Sequence, residues 1–398
     1  MESVESILFW TYVAIGPLAW VVFAYLMIVA RERMTRLRKA NTPLPTQPPH
    51  VSILVPAKDE ARHIRTCIER IRQQDYPDFD LIAINDRSSD DTGALLDSLR
   101  TEPAVDQANR YQVVHIDQLP EGWLGKCHAL HRGTEAATGE WLFFVDSDVT
   151  LQPEALRRML AYAIDRSVDA VSIMTEIRTE RFVEKLMLPL LAGTWATLFM
   201  ADQTNEDSEP DRALANGQVF LIRASVYRAV GGHEAVKDRI VEDVELMRRL
   251  KRAGFKTRFA AGRQLASTRM HTSLNQMFHG WARIFAGTAR ASVWPMLLAI
   301  GFILLCVVSA YPAIAYAVAV HSNAWFIAGI SHWLLMTICL GFVWIWSGNS
   351  PAYALLLPLS VPIEIAILLF SIDRARRGNV AWRGVAINLK NTSVVKST

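Results

Sequence analysis

The sequence predicts an α/β domain with a doubly wound, mainly parallel sheet, set between membrane helices at both ends. Three observations predict it. Short β-branched runs alternate with amphipathic stretches between residues 51 and 145, as expected of strands joined by crossover helices. Uncharged stretches of membrane-spanning length lie before residue 31 and after residue 291. Acids at 146, 148, 242 and 243 fall where such a sheet opens to ligands or where a helix begins.

The membrane segments come first in chain order. Residues 7–30, 292–320 and 324–346 carry no charge, counting His332 as neutral, and 351–372 carry only Glu364. Each is long enough to cross a hydrocarbon core of about 30 Å. Glu2 and Glu5 precede the first where a cleaved leader would be basic, so a retained anchor is expected. Overall, 51% of residues are hydrophobic and 20% charged, a skew that these runs explain. A net charge of +3 gives no ground for a nucleic-acid partner. Its placement says more. Arg31, Arg33, Arg36, Arg38 and Lys39 follow the first run, which puts that flank in the cytoplasm. Cys67, Cys127, Cys306 and Cys339 form no close-spaced pair, which suits a reducing compartment. The tail carries Arg374, Arg376, Arg377, Arg383 and Lys390 and also asks to be cytoplasmic. Four full spans would put both termini outside. The last run is therefore expected to be re-entrant or interfacial, with Pro351, Pro358 and Pro362 to break it and Glu364 costly in lipid.

Between the membrane segments, residues 41–50 hold four prolines and read as a linker. Strands are expected at 51–55, 81–84, 112–116 and 141–145. Helices are expected at 60–74, with Ile64, Ile68 and Ile71 on one face, and at 92–100 and 126–138. No G-x-G-x-x-G follows the first strand and no G-x-x-x-x-G-K-[ST] occurs, so dinucleotide oxidoreductases and P-loop NTPases lose their main support. Residues 182–200 are apolar but hold Glu184 and Lys185. They read as a helix lying in the membrane interface, or equally as a core helix. Residues 202–212 read as a polar surface loop, and 275–290 as a second interface helix.

Asp146 and Asp148 stand one residue apart at the end of a buried strand. Such a pair needs a partner, and a hard divalent cation shared with phosphate oxygens is the usual one. Glu242 and Asp243 open the helix that follows. An acid there is often only a cap; with a metal site upstream it becomes a candidate base. The chemistry indicated is a metal-dependent reaction on a phosphate-bearing donor.

The segments VSILVPAKDEA (51–61), IAINDRSSDDT (82–92), FVDSD (144–148) and VED (241–243), in this order, resemble glycosyltransferase family 2, the inverting GT-A fold transferases, over about residues 51–290. WLGK (123–126), NGQVFLIR (216–223), AVGGHE (229–234) and GWAR (280–283) are similar to its membrane-bound lipid glucosyltransferases of the ceramide, chlorobactene and hopene-associated types. The resemblance implies donor contacts at Pro56, Glu60, Asp86, Lys126 and Asp146. It implies Mg2+ or Mn2+ on Asp148 with Asp146, Asp243 as the base, and Glu242 as its orienting neighbour. Gly217, Gln218, Trp281 and Arg283 would face acceptor or diphosphate. The expected activity is inverting transfer of a sugar, glucose from UDP-glucose, to a membrane lipid hydroxyl. The partners are then the nucleotide sugar, the lipid and the bilayer, at a bacterial inner membrane with the catalytic domain facing the cytoplasm.

The expected domains are an anchor with basic flank at 1–40, the linker at 41–50, the GT-A domain with interfacial helices at 51–291, a membrane block of three segments at 292–372, and a basic tail at 373–398. A glycan-chain synthase of the same family and a non-catalytic membrane scaffold are the alternatives. Processive members carry Q-x-x-R-W. Here residues 276–281 read QMFHGW, with His279 where Arg is expected and Trp281 one place late. His271 is read as solvated.

Overall fold

The computed structural model describes residues 2–33, 37, 44–100, 110–199, 202–289, 292–377, 379–382, 385–388 and 394–395. They divide into two compact units: Met34–Arg178 with Ala201–Met270 and Asn379–Thr398, and Met1–Arg33 with Thr179–Met200 and His271–Gly378. Residues 179–200 and 271–291, grouped with the GT-A domain on the sequence, thus cluster with the helical unit.

The first unit holds thirteen strands among the described residues: β1 (Val51–Ala57), β2 (Phe79–Asp86), β3 (Tyr111–Ile116), β4 (Trp141–Val145), β5 (Val149–Leu151), β6 (Ala170–Met174), β7 (Glu176–Ile177), β8 (Val219–Arg223), β9 (Thr257–Ala261), β10 (Ala266–Thr268), and β11 (Asn379–Trp382), β12 (Val385–Asn388) and β13 (Val394–Val395), the last three in a sheet of their own. The main sheet runs β3-β2-β1-β4-β8-β6-β9, and β5-β10-β7 form a small second sheet. In the main sheet β1, β2, β3 and β4 are mutually parallel, as are β6 and β9, and of its seven strands only β8 runs antiparallel to its neighbours. The sheet is therefore mixed but dominated by parallel pairs.

Successive side chains of a strand face opposite ways, and this sheet is covered on both faces. Ile53, Val55, Phe143 and Val145 pack with Ile64, Ile68 and Ile71 of the helix Ile64–Arg72 in one core. Leu54, Ile84, Phe144 and Phe220 pack with Leu130, Leu246 and Leu250 in the other. Burying each such side chain contributes about 1.5–3 kcal/mol. Pro56 sits in β1, an interior strand, without breaking it. β1 pairs with β4 only over Val51–Leu54, so the missing N–H lies beyond that ladder.

Among the described residues five stretches are long and apolar enough to cross a membrane, and four lie in the helical unit where the sequence places them: Val4–Val29, Trp294–Ala319, Asn323–Trp346 and Pro351–Arg377. The fifth, Phe182–Phe199, is the helix read as lying in the interface. A 3-10 turn, Pro351–Leu356, absorbs the first proline of the last segment, and Leu357–Arg377 continues as one helix with Pro362 inside. Glu364 is 1% exposed and accepts a hydrogen bond from the Thr194 hydroxyl at 2.5 Å. It is enclosed by protein, so its cost in lipid is no argument against this segment spanning. His332 is fully buried: Nδ1 meets the Tyr12 hydroxyl at 3.0 Å and Nε2 the Cys306 carbonyl at 2.8 Å. The side chains of the basic flank from Arg31 to Lys39, and those of Arg383 and Lys390, lie outside the described residues.

Candidate active site

The loops after β1 and β2 are stapled together. Asp59 adopts the left-handed conformation, φ 54°, and its carboxylate accepts from Ser89 N at 2.7 Å. Glu60 N donates to the Thr92 hydroxyl at 2.8 Å and Ala61 N to Asp90 at 3.1 Å. The Asp59 and Asp90 carboxyls are held below the ordinary range, the former first by the Ser89 N–H, the latter by Thr92 and backbone donors against burial. Asp86 ends β2, buried, and is gripped by the Arg87 guanidinium at 2.7 and 2.9 Å. Arg87 is itself left-handed, φ 54°. Non-glycine residues held this way cluster at functional sites. Gly125 lies against this fork: a Cβ there would stand 2.7 Å from Asp86 Oδ2 and 2.8 Å from Arg87 Nη2.

β4 delivers Asp146-Ser147-Asp148 at its end. Asp146 N donates to the Gln218 carbonyl at 3.0 Å and Val149 N to the Asp146 carbonyl at 3.1 Å, which folds the acids into a tight turn. Asp148 accepts from the Thr268 hydroxyl at 3.2 Å. Its carboxyl is pushed up to about 6 by burial and by the neighbouring charges of Asp146 and Glu60. No cluster of three or more His, Cys, Asp or Glu able to hold a metal occurs among the described residues. The oxygen pair fits Mg2+ or Mn2+ shared with substrate phosphates, not a cage made by protein alone. The raised pKa fits too, since a cation would relieve the repulsion that causes it.

The helix Glu242–Arg252 brings its first two acids to the same place. Lys126 joins the sets. Its Nζ lies 2.8 Å from Asp146 and 3.1 Å from Glu242. Burial opposes its charge, but Asp146 and Glu242 outweigh burial and hold the ammonium above the ordinary lysine range. Asp243 accepts from Gly217 N at 2.5 Å and from Val244 N at 2.8 Å. Burial, then Glu242, raises its carboxyl well above the usual aspartate range, against the pull of Lys126 and the two N–H donors. Gly217 permits this closeness: a Cβ there would stand 3.0 Å from Lys126 Nζ and 3.1 Å from Asp243 Oδ2. A half-buried acid with a raised pKa, held by backbone and facing a lysine, is equipped to take a proton near neutral pH.

The structure thus brings together Lys126, Asp146, Gly217, Gln218, Glu242 and Asp243, with Asp148 two residues from Asp146. Pro56, Glu60 and Asp86 lie at or just past the ends of β1 and β2. Trp281 and Arg283 belong to the helical unit. Trp281 is 4% exposed beside Phe285, and its indole nitrogen is enclosed without a partner among the described residues. Gln276 is used in the helix start: Ser273 caps it by accepting from Gln276 N, and the Gln276 side chain accepts at 2.9 Å from the N–H of Thr272, the residue before the cap. His271 is not solvated: its ring lies against Gly280 with Nε2 enclosed, and burial, then Arg283, pushes its pKa down to about 4. Arg87 and Thr268 are contacts the sequence reading missed. Arg87 stands inside a quoted motif, but nothing marks Thr268, which is 120 residues from Asp148.

Comparison with known proteins fits this geometry. A Glycosyl transferase family 2 model matches residues 52–229 and a Glycosyl transferase family group 2 model matches 141–356. Curated 4,4'-diaponeurosporenoate glycosyltransferases of Staphylococcus aureus are 28% identical, over 203 residues in strain MRSA252 and 200 in strain USA300. Each match covers 49% of this chain, and the chain spans about half, 50%, of those relatives' length. A mannosyltransferase from Pyrobaculum calidifontis, solved with GDP-Man and Mn2+, superposes with a TM-score of 0.51 at 18% identity, covering 92% of this chain and 99% of the other. That likeness carries the GT-A fold. With the second family model covering more than half of its residues, the chain belongs to glycosyl transferase family group 2.

Proposed function

We propose that the protein is an inverting, metal-dependent glycosyltransferase that moves one sugar, glucose from UDP-glucose, to a membrane lipid hydroxyl. The observation that carries this is the half-buried Asp243, fixed by two backbone N–H groups and held across Lys126 from the Asp146–Asp148 turn. The acceptor hydroxyl loses its proton to Asp243 as its oxygen bonds to the anomeric carbon. The bond from that carbon to the diphosphate oxygen breaks on the opposite face, and nucleoside diphosphate leaves with inversion. Lys126 holds Asp146 and Glu242 in place and limits how far the Asp243 pKa climbs. Asp86 and the stapled loops 59–61 and 88–92 bind the nucleoside. A divalent ion on Asp148 and Asp146 would offset charge on the leaving diphosphate when bound. The mannosyltransferase bound to Mn2+ supports the metal, and the carotenoid-type acceptor in the relatives' name supports a lipid. The apolar helices and the basic cluster at 31–39 support an inner-membrane location facing the cytoplasm. Loss of Q-x-x-R-W supports single transfer over chain synthesis.

A second reading of the acceptor rests on the relatives' name, in which diaponeurosporenoate is a carboxylate. Such an acceptor is already ionised and needs no base. Purified full-length protein in lipid nanodiscs should consume nucleotide sugar with Mn2+ or Mg2+ and stop in EDTA. Asp243→Asn should then silence hydroxyl acceptors but spare carboxylate ones. Unchanged turnover in chelator contradicts the metal assignment.

A further inference from the structure

One side chain of the active site is oriented by its surroundings so firmly that its free end becomes informative. Asn216 cannot be flipped. Its Oδ1 accepts from Gln218 N at 3.2 Å and its Nδ2 donates to the Ile173 carbonyl at 3.2 Å; both partners are backbone groups of fixed polarity. The same Nδ2 lies 3.1 Å from Gln218 Oε1. That atom must therefore be the oxygen, since a nitrogen would set two donors against each other. The Thr175 hydroxyl adds a second donor to Gln218 Oε1 at 2.5 Å. Ser172 pins the base of the network, accepting from Asn216 N at 2.7 Å and donating to the Asn216 carbonyl at 3.0 Å. The carbonyl end of the Gln218 amide is thus satisfied twice. Its NH2 end makes no hydrogen bond among the described residues, and the side chain is half-buried.

The position of this amide decides what it meets. The Gln218 carbonyl takes the N–H of Asp146, and the preceding residue, Gly217, gives its N–H to Asp243. The Gln218 backbone therefore lies between the acid pair assigned to the diphosphate and the acid assigned to the acceptor proton. In the proposed reaction the transferred sugar occupies that interval. An amide NH2 offers two donors and no acceptor, so it reads an oxygen lone pair.

We infer that Gln218 is a specificity-determining residue that donates a hydrogen bond to a ring hydroxyl oxygen of the transferred hexose, and that Thr175 and Asn216 are positioning residues that hold its amide in that sense. The inference rests on the reading of the site as a glycosyltransferase. A site built to bond a hydroxyl discriminates against the analogue that lacks it, and one neutral hydrogen bond corresponds to roughly tenfold in kcat/KM.

The test is a cycle between protein and substrate, on the full chain in nanodiscs. Gln218→Met is close in volume and removes both outward donors without offering the sugar hydroxyl a strong acceptor. Wild type and variant are compared on the parent nucleotide sugar and on a panel of singly deoxygenated donors. One deoxy position should cost wild type roughly tenfold and cost Gln218→Met almost nothing further, while the other positions cost both proteins alike. Thr175→Val, which removes one of the two clamping donors, should narrow the same gap without closing it, and covers the case in which the methionine variant does not fold. Additive losses at every position in both variants overturn the inference even with normal turnover of the parent donor. Absence of nucleotide-sugar turnover by wild type overturns the proposed function itself.

Discussion

Replacing Lys126 with methionine should move the pH dependence of the reaction upward. Lys126 Nζ and Asp243 Oδ2 lie within 3.0 and 3.1 Å of one point above Gly217, so they are no more than about 6 Å apart. At an effective dielectric of about 20, a unit charge at that distance is worth about 3 kcal/mol, or about two pH units. A quarter of the lysine side chain is exposed, so solvent trims this to roughly one to two units. The sign follows from the role. Asp243 works only deprotonated, and burial and Glu242 already raise its pKa. Activity therefore falls on acidification above the ordinary aspartate range, and losing the lysine charge raises that limb further. Methionine conserves most of the volume, but it leaves Asp146 and Glu242 without their cation, at a cost of about 3–5 kcal/mol. Because Asp243 binds its proton more tightly folded than unfolded, the variant should also lose stability as pH rises through that pKa. The assay is kcat/KM for the nucleotide sugar at saturating metal from acid to alkaline pH, in wild type, Lys126→Met and Lys126→Arg. The arginine variant keeps the charge and should keep the limb near its place. An acid limb that stays put in Lys126→Met refutes the electrostatic coupling.

Three further outcomes follow from the geometry. Asp148→Asn should abolish Mn2+-dependent binding of the nucleotide sugar by calorimetry with the circular dichroism unchanged; retained metal-dependent affinity would remove Asp148 from the site. Gly125→Ala forces a methyl to within 2.7 Å of Asp86 and 2.8 Å of Arg87, and should raise the donor KM roughly tenfold while lowering stability by about 1–3 kcal/mol; an unchanged KM would detach the Asp86–Arg87 fork from the nucleoside. A cysteine placed at Glu206 should react with a membrane-impermeant thiol reagent in inverted vesicles but not in intact cells. The four native cysteines are all buried, so background labelling is low, and labelling from outside would reverse the orientation.

The half of the sheet that alternates strand and helix, β1 to β4, could be read from the sequence because parallel strands need crossover helices and each helix shows its apolar period. The rest could not. β6, β8 and β9 pair across long separations, and β8, quoted as a motif, inserts antiparallel between β4 and β6. Nothing local to residues 219–223 specifies that direction. Asp146, Asp148 and Asp243 were visible because acids at strand ends and helix starts have few other uses. For Lys126 the sequence offers only a donor contact implied by the resemblance. Its real surroundings are acids 20 and 116 residues away, which no spacing rule anticipates. Glu364 was read as a poor membrane residue because its partner, Thr194, is 170 residues distant. His271 was read as solvated because nothing in the sequence shows that Gly280 leaves room for its ring.

The most direct test of the central claim follows the sugar into the membrane. Purified wild type and Asp243→Asn, each reconstituted with native membrane lipid, receive radiolabelled nucleotide sugar and Mn2+, and label is measured in the organic-solvent extract. Wild type should place label in one discrete lipid product. Asp243→Asn should lower that transfer on the order of a hundredfold or more while binding the donor with little change. Label confined to the aqueous phase, or equal lipid labelling by both proteins on a hydroxyl acceptor, would contradict the account.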